Sequence, residues 1–249
     1  MTAKIRYGVV VAVWGEAYTR LMAEVTLPTN LSPGNLPALA AAADVTYHIY
    51  ASAEAQAQLR QAQSYATLVR TVDVELHTID AAEIAAATTP YEILTGCHKR
   101  AIAIAKQRGE ALVILSPDAI WSDGSFARMH ELALAGYRAV MMAAPRAAKS
   151  DFLQGLETHL ASMHHGQLTL SSQTLMRLLF RSLHPGTQDL FWREDSLSSW
   201  PSQLLWQAGG DGVLVRSFHL HPLLIRPSVW HSDMPNTIDG EFVEQAVPN

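Results

Sequence analysis

The stretch ALVILSPDAIWSDGSFARM, residues 111–129, decides the fold. Five apolar residues, 111–115, read as a buried strand. The chain then passes through Ser116, Pro117 and Asp118 into a turn, and a helix follows whose start is marked by Asp123, Gly124 and Ser125. In open α/β sheets ligands bind in the crevice beyond the carboxyl ends of the strands. Ser116 and Asp118 are therefore candidate ligand contacts by position. The competing reading is that Asp118 only accepts hydrogen bonds within its own turn.

Working outward, the same alternation of elements continues on both sides. GVVVAVW, residues 8–14, has no polar alternation, as expected of a parallel strand covered on both faces. Residues 17–27 carry a helical stripe of Tyr18, Leu21, Met22 and Val25, and TNLSPGNLPAL reads as a loop turning on Pro33, Gly34 and Pro37. VTYHIYA, residues 45–51, reads as a strand and residues 54–66 as a helix. VDVELHTI, residues 72–79, alternates like a strand with one more exposed face. A long helix then has Thr89 as N-cap, Pro90 at its first position and Gly109 just past its end. After the central strand come a helix over 126–135 and a strand AVMMAA, residues 139–144. This order predicts an α/β fold with a mostly parallel sheet flanked by helices on both faces, so that Trp14, Ala51 and Asp118 emerge on one edge.

Beyond Pro145 and Arg146 the rhythm changes. Residues 151–164 and 173–183 read as helices, residues 184–206 as irregular and aromatic, and VLVRSFHLHPLLI, residues 213–225, as a strand that packs back on the first half. FHLHP holds His219 and His221, which on a strand point to the same side. With Asp118 or Asp239 they would make a divalent-metal site; the alternative is one packed and one exposed ring. Asp233, Asp239 and Glu241 in the tail are either further ligands or solvated surface charges. Glu194 and Asp195 form a carboxylate pair that supplies a base, contacts an acceptor or caps a helix. His98 reaches a base or phosphate, or is a structural hydrogen bonder, and Trp14 stacks on a nucleobase or fills the core.

Composition narrows the function classes. In 249 residues, 49% are hydrophobic and 16% charged, a globular composition whose low charge content is compatible with a shared surface such as a homodimer. The net charge of −5 and the lack of a Lys/Arg run make nucleic acid a poor partner. Cys97 is the single cysteine, so no internal disulfide framework forms and a reducing cytoplasm fits best. No segment reads as a membrane span, while peripheral membrane contact is compatible with the composition. GxGxxG, Walker-type, GxSxG and HExxH motifs are absent, which argues against common dinucleotide, P-loop, hydrolase and zincin classes.

VVAVWGEAY, LSPGNLPAL, YHIYAS, CHKRAIAIA leading into VILSPD, WSDG, FHLHP and TIDG together span most of the chain. In these motifs the sequence resembles bacterial proteins of the nucleotide-diphospho-sugar transferase type, with the GT-A glycosyltransferase fold. The resemblance implies one GT-A-like domain over residues 1–249, with a nucleotide-binding half at 1–144 and acceptor-side helices, late strand and tail at 145–249. It implies a nucleotide-sugar donor, an acceptor, and a divalent cation, manganese or magnesium, bridging the donor diphosphate. Trp14 and Gly15 would lie near the base and His98 near the nucleotide. Asp118 would stand for the acidic metal motif and His219 or His221 for the late histidine ligand. Asp123 or Glu194 would contact the acceptor or act as base. The family motif has two acidic residues separated by one position, whereas Asp118 is followed by Ala119 and Ile120, with Asp123 next. Three readings stay open at that departure: the histidines and Asp239 complete the site, Arg and Lys replace the cation, or the fold persists without activity. A non-catalytic binding or scaffold protein, and a metal-dependent hydrolase built on His219 and His221, are the competing functions.

Overall fold

A computed structural model describes residues 4–192, 203–209, 212–218, 220–230 and 240–247. The chain begins with strand β1 (Arg6–Val13), then helix α1 (Glu16–Leu21), a π turn (Met22–Thr26), α2 (Leu27–Asn30) and α3 (Leu36–Ala42). Next come β2 (Asp44–Ala51), α4 (Ala53–Arg60), α5 (Gln63–Thr71), β3 (Asp73–Thr78), α6 (Ala81–Ala86) and α7 (Pro90–Arg108). β4 (Ala111–Ile114), α8 (Ser125–Leu134) and β5 (Ala139–Met142) complete the regular alternation. The remainder holds α9 (Lys149–Leu160), α10 (Ser172–Arg181), α11 (Pro185–Gln188), β6 (Gln203–Ala208), β7 (Gly212–Ser217), β8 (His221–Ile225) and α12 (Gly240–Ala246).

Six strands form one sheet in the order β3-β2-β1-β4-β8-β5, and β6 pairs with β7 in a separate antiparallel ribbon. β1 is parallel to β2 and β4, β2 is parallel to β3, and β8 runs antiparallel to both of its neighbours. The protein is thus an α/β structure with a mostly parallel central sheet and helices on both faces. β1 is buried along its length after Arg6. Its Tyr7, Val9, Val11 and Val13 join the cluster of Leu27, Leu39, Leu59, Leu68 and Phe126. Its Val10 and Ala12 join Ile93, Cys97 and Ala101 of α7 and Phe242 of α12 on the other face. A third cluster, with Phe152, Leu156, Leu168 and Leu178, packs around Val25.

Several expectations from sequence are corrected. The helix expected over 17–27 continues to Asn30, through a π turn that ends two residues before Pro28. An unbroken α ladder would clash with that proline ring and lack its N–H; the looser turn accommodates both. Ser64 Oγ donates to the Ala23 carbonyl inside the turn at 2.6 Å. The end of the expected loop, from Leu36 on, opens helix α3, and residues 54–66 belong to two helices rather than one. The late strand expected over 213–225 is two strands in two sheets. Pro222, without an N–H, enters β8 where its register with β5 shifts between Val140 and Met141.

The LSPGN and WSDG segments are locked together. Asp123 Oδ1 accepts the Gly34 N–H at 2.7 Å, and the buried Asn35 donates to the Ser122 carbonyl and accepts the Phe126 N–H. A Cβ at Gly34 would lie 2.6 Å from the Gly124 nitrogen, a backbone contact that cannot give way cheaply. Gly34→Ala is expected to destabilise the fold by about 1–3 kcal/mol through overpacking, measured as a lower midpoint in urea unfolding with an unchanged slope.

Candidate functional site

Strand order reverses at β1. The chain leaves it toward β2 and β3 and then crosses back to β4 on its other side. The helices that follow β1 and β4 pack on the same face of the sheet, so the loops after these two neighbouring strands lie side by side at its carboxyl edge. Trp14 and Gly15 follow β1, and Gly15 takes φ 76°, a left-handed region that lets the chain turn sharply into α1. A Cβ at Gly15 would meet open space, so the glycine serves backbone conformation rather than packing. After β4, Leu115 extends the pairing through its N–H to the Val10 carbonyl, and then Ser116, Pro117 and Asp118 turn away. Ser116 and Asp118 are exposed, and Ser116 Oγ donates to Asp118 Oδ1. The Pro117 carbonyl is held by Thr26 Oγ1 at 2.7 Å, which anchors the turn to the first helical segment.

His221 opens β8 and pairs with Met142 at the carboxyl end of β5. Because β8 is antiparallel to β4, with Leu112 opposite Ile225 and Val113 opposite Leu224, its start lies on the same edge as Ser116 and Asp118. The fold thus brings Trp14, Gly15, Ser116, Asp118 and His221 to one edge. Asp123 sits elsewhere in the same loop, exposed, with one carboxylate oxygen on the Gly34 amide. Trp14 is half-buried against the α7 cluster. His98, on α7, is buried, and its Nδ1 has no hydrogen-bond partner among the described residues. Burial pushes its imidazole down to about 4, so the ring is neutral at physiological pH. Glu194, Asp195, His219, Asp233 and Asp239 lie outside the described residues, and of Glu241 only the backbone, in α12, is described.

A second polar group, which sequence reasoning missed, lies midway along β2 and the edge strand β3. His48 of β2 is in register with Glu75 of β3, and His77 follows two residues on, on the same side. His48 Nδ1 is 3.1 Å from His77 Nε2, and Glu75 Oε2 is 3.5 Å and 3.8 Å from those two nitrogens. The three ligand atoms lie within 4.8 Å of one another, a set that can hold a metal ion. Arg108 at the end of α7 grips both oxygens of Glu75, at 2.8 and 3.1 Å, and holds that carboxyl below its ordinary range. Burial, and then the neighbouring His48, lower the His77 imidazole, which stacks on Tyr50 at 4.5 Å between ring centroids. The signal in the sequence is one histidine inside the apolar run of β2 and the E-x-H spacing in VDVELHT, but nothing local says that the two strands are neighbours.

No protein-family model matches the chain, and no curated protein matches it. Among solved structures, the chain is similar to the apo form of mouse xyloside xylosyltransferase 1, with 12% identity and a TM-score of 0.35. The match covers 62% of this chain and 59% of that one. Among the described residues no helix is long and apolar enough to cross a membrane.

His98 makes a pH-dependent contribution whose sign follows from its burial. The unfolded imidazole titrates near 6.5 and the folded one near 4, so the unfolded chain binds the extra proton between those values. Stability is then complete above pH 6.5 and falls as the pH drops toward 4, by about 3 kcal/mol for this residue. His98→Leu is expected to flatten urea-unfolding stability across that window. At neutral pH it should change stability by no more than about 1 kcal/mol, since the lost ring nitrogen had no partner to leave unpaired. An unchanged acid slope would assign the loss to other groups, such as His77 or His130, whose imidazoles are also lowered.

Proposed function

We propose that the protein is a glycosyltransferase that takes a sugar from a nucleotide-diphosphate donor bound at the edge beyond β1 and β4. The observation that carries this reading is the reversal of strand order at β1, which brings Trp14 and Gly15 to the same edge as Ser116 and Asp118. An aromatic face and an open backbone turn suit a nucleobase, and a carboxylate on the adjacent loop suits a hydrated cation on a diphosphate. The sequence resemblance to nucleotide-diphospho-sugar transferases supports the same assignment.

The chemistry sets a requirement that this edge can meet. When the glycosidic bond to the donor breaks, the leaving nucleoside diphosphate gathers negative charge, and groups aimed at that charge lower the barrier. A magnesium or manganese ion, when bound, neutralises part of that charge. Asp118 and His221 are the described residues that would hold it, and one or two protein ligands suffice where the substrate phosphates supply the rest. Ser116 orients the Asp118 carboxylate through its hydroxyl. Arg146, exposed just past the carboxyl end of β5, brings a fixed positive charge to the same edge and is the candidate for the case in which side chains replace the cation. His219, Asp239 and Glu194 remain assigned to the late ligand and acceptor roles on the strength of the resemblance.

Nucleoside diphosphates and sugar nucleotides, each with and without manganese or magnesium, are expected to raise the melting temperature of the purified chain only when nucleotide and metal are both present. At about 100 times Kd the native state gains about 2.7 kcal/mol. Asp118→Ala is expected to abolish the metal-dependent part of the shift. Absence of any shift across the panel would favour a binding or scaffold protein that keeps the fold without the transfer reaction.

A further inference from the structure

We propose that His48, His77 and Glu75 form a site for a first-row divalent transition metal, with Glu110 as the carboxylate that orients His48. The site lies midway along β2 and β3, apart from the carboxyl edge where Trp14 and Asp118 emerge, and the proposal does not depend on the transferase reading.

The geometry is that of two imidazoles and one carboxylate converging on a point. His48 Nδ1, His77 Nε2 and Glu75 Oε2 face one another within 4.8 Å, and the first two share a hydrogen bond that needs a proton on one of them. A cation would replace that proton and take a lone pair from each ring. Ligation through Nδ1 fixes the hydrogen of His48 on Nε2. That nitrogen lies 3.4 Å from Glu110 Oε2, and both atoms are buried without a hydrogen-bond partner among the described residues. A carboxylate placed on the outer nitrogen of a ligating histidine is the arrangement that metal sites use to set tautomer and ring orientation.

Two further observations fit a built site rather than a chance meeting of polar groups. Gly8 of the central strand leaves room for Glu110: a Cβ there would stand 2.7 Å from Glu110 Oε2. A glycine within a strand costs stability, and here it permits a buried carboxylate to reach the histidine. The setting is also rich in carboxylates: Glu75 and Glu110 both face the imidazoles, and Arg108 lies 2.8 Å from the first and 3.9 Å from the second. Arg108 is partly exposed and holds both Glu75 oxygens, so ligation through Oε2 would require its Nη2 to let go while Nη1 keeps Oε1. Two imidazole nitrogens with one carboxylate select zinc, iron, cobalt or nickel over magnesium and calcium, which prefer all-oxygen sites. The ligands come from the edge strand β3 and its neighbour β2, so the ion would clip that edge to the sheet.

The test uses the full chain stripped with a chelator and then titrated with zinc against a chromophoric competitor, and separately with cobalt monitored by visible absorption. One equivalent of zinc per chain is expected, with a rise in melting temperature that millimolar magnesium does not reproduce. His77→Ala and Glu75→Gln, both at partly exposed positions, are expected to weaken zinc at least 100-fold with unchanged far-ultraviolet circular dichroism and to remove the cobalt bands. Glu110→Gln is expected to weaken zinc by about 10–100-fold. Asp118→Ala should bind zinc as the wild type does, which separates this site from the proposed donor site. A folded wild-type chain that takes up no stoichiometric zinc, or zinc binding that survives both His77→Ala and Glu75→Gln, would overturn the proposal and leave an ion-paired histidine network only.

Discussion

The structure depends on β1 being able to live without water. It is hydrogen-bonded on both edges, to β2 and to β4, and covered on both faces, so every side chain after Arg6 is buried. A polar residue in the run 7–13 would need a partner within the sheet, and apart from Tyr7, whose hydroxyl reaches His130, the run supplies none. From that strand the helices take their places: α7 on one face, the π-turned first helix with α3, α5 and α8 on the other. The reversal of strand order at β1 follows from the same pairing, and with it the neighbouring positions of the Trp14 and Ser116 loops at the carboxyl edge.

Polar groups inside the sheet are costly, and the protein concentrates them. On the α7 face, His48, Glu75, His77, Arg108 and Glu110 form one connected group, with Tyr50 stacked beside it and Arg100 over the Tyr50 ring. The adjacent part of the same face is apolar, with Val10, Ala12, Ile93 and Cys97. Cys97 belongs to this packing; burial raises its thiol, so it is a core residue rather than an activated nucleophile. The strand-end loops behave differently: Ser116 and Asp118 are exposed, while the neighbouring LSPGN and WSDG segments are fastened by Asn35 and Asp123.

Much of the first half was legible from local signals. The unbroken apolar runs of β1 and β4, and the Pro90 start and Gly109 stop of α7 with its φ of 65°, are short-range features whose cause lies within a few residues. The placement of Trp14 and Asp118 on one edge followed from the alternation of strand and helix. The second half was less legible, because the residues that decide it are far apart. FHLHP looked like part of one strand, but the chain leaves the β6–β7 ribbon at Ser217 and enters the main sheet at His221. A hydrophobic pattern says that a segment pairs, not with what.

The sequence by itself determined the α/β class, the central strand, the long helix and the edge on which Trp14, Ser116 and Asp118 emerge, because periodicity, capping and steric rules act within a few residues. Only the tertiary structure decided that β8 inserts antiparallel between β4 and β5, and that His98 is buried. It also decided that His48 meets Glu75, His77 and Glu110, residues 27, 29 and 62 positions away. The reason is physical: strand pairing across the sheet is chosen by the sum of many weak packing contacts and a shared register, and no single residue carries that information in its neighbourhood.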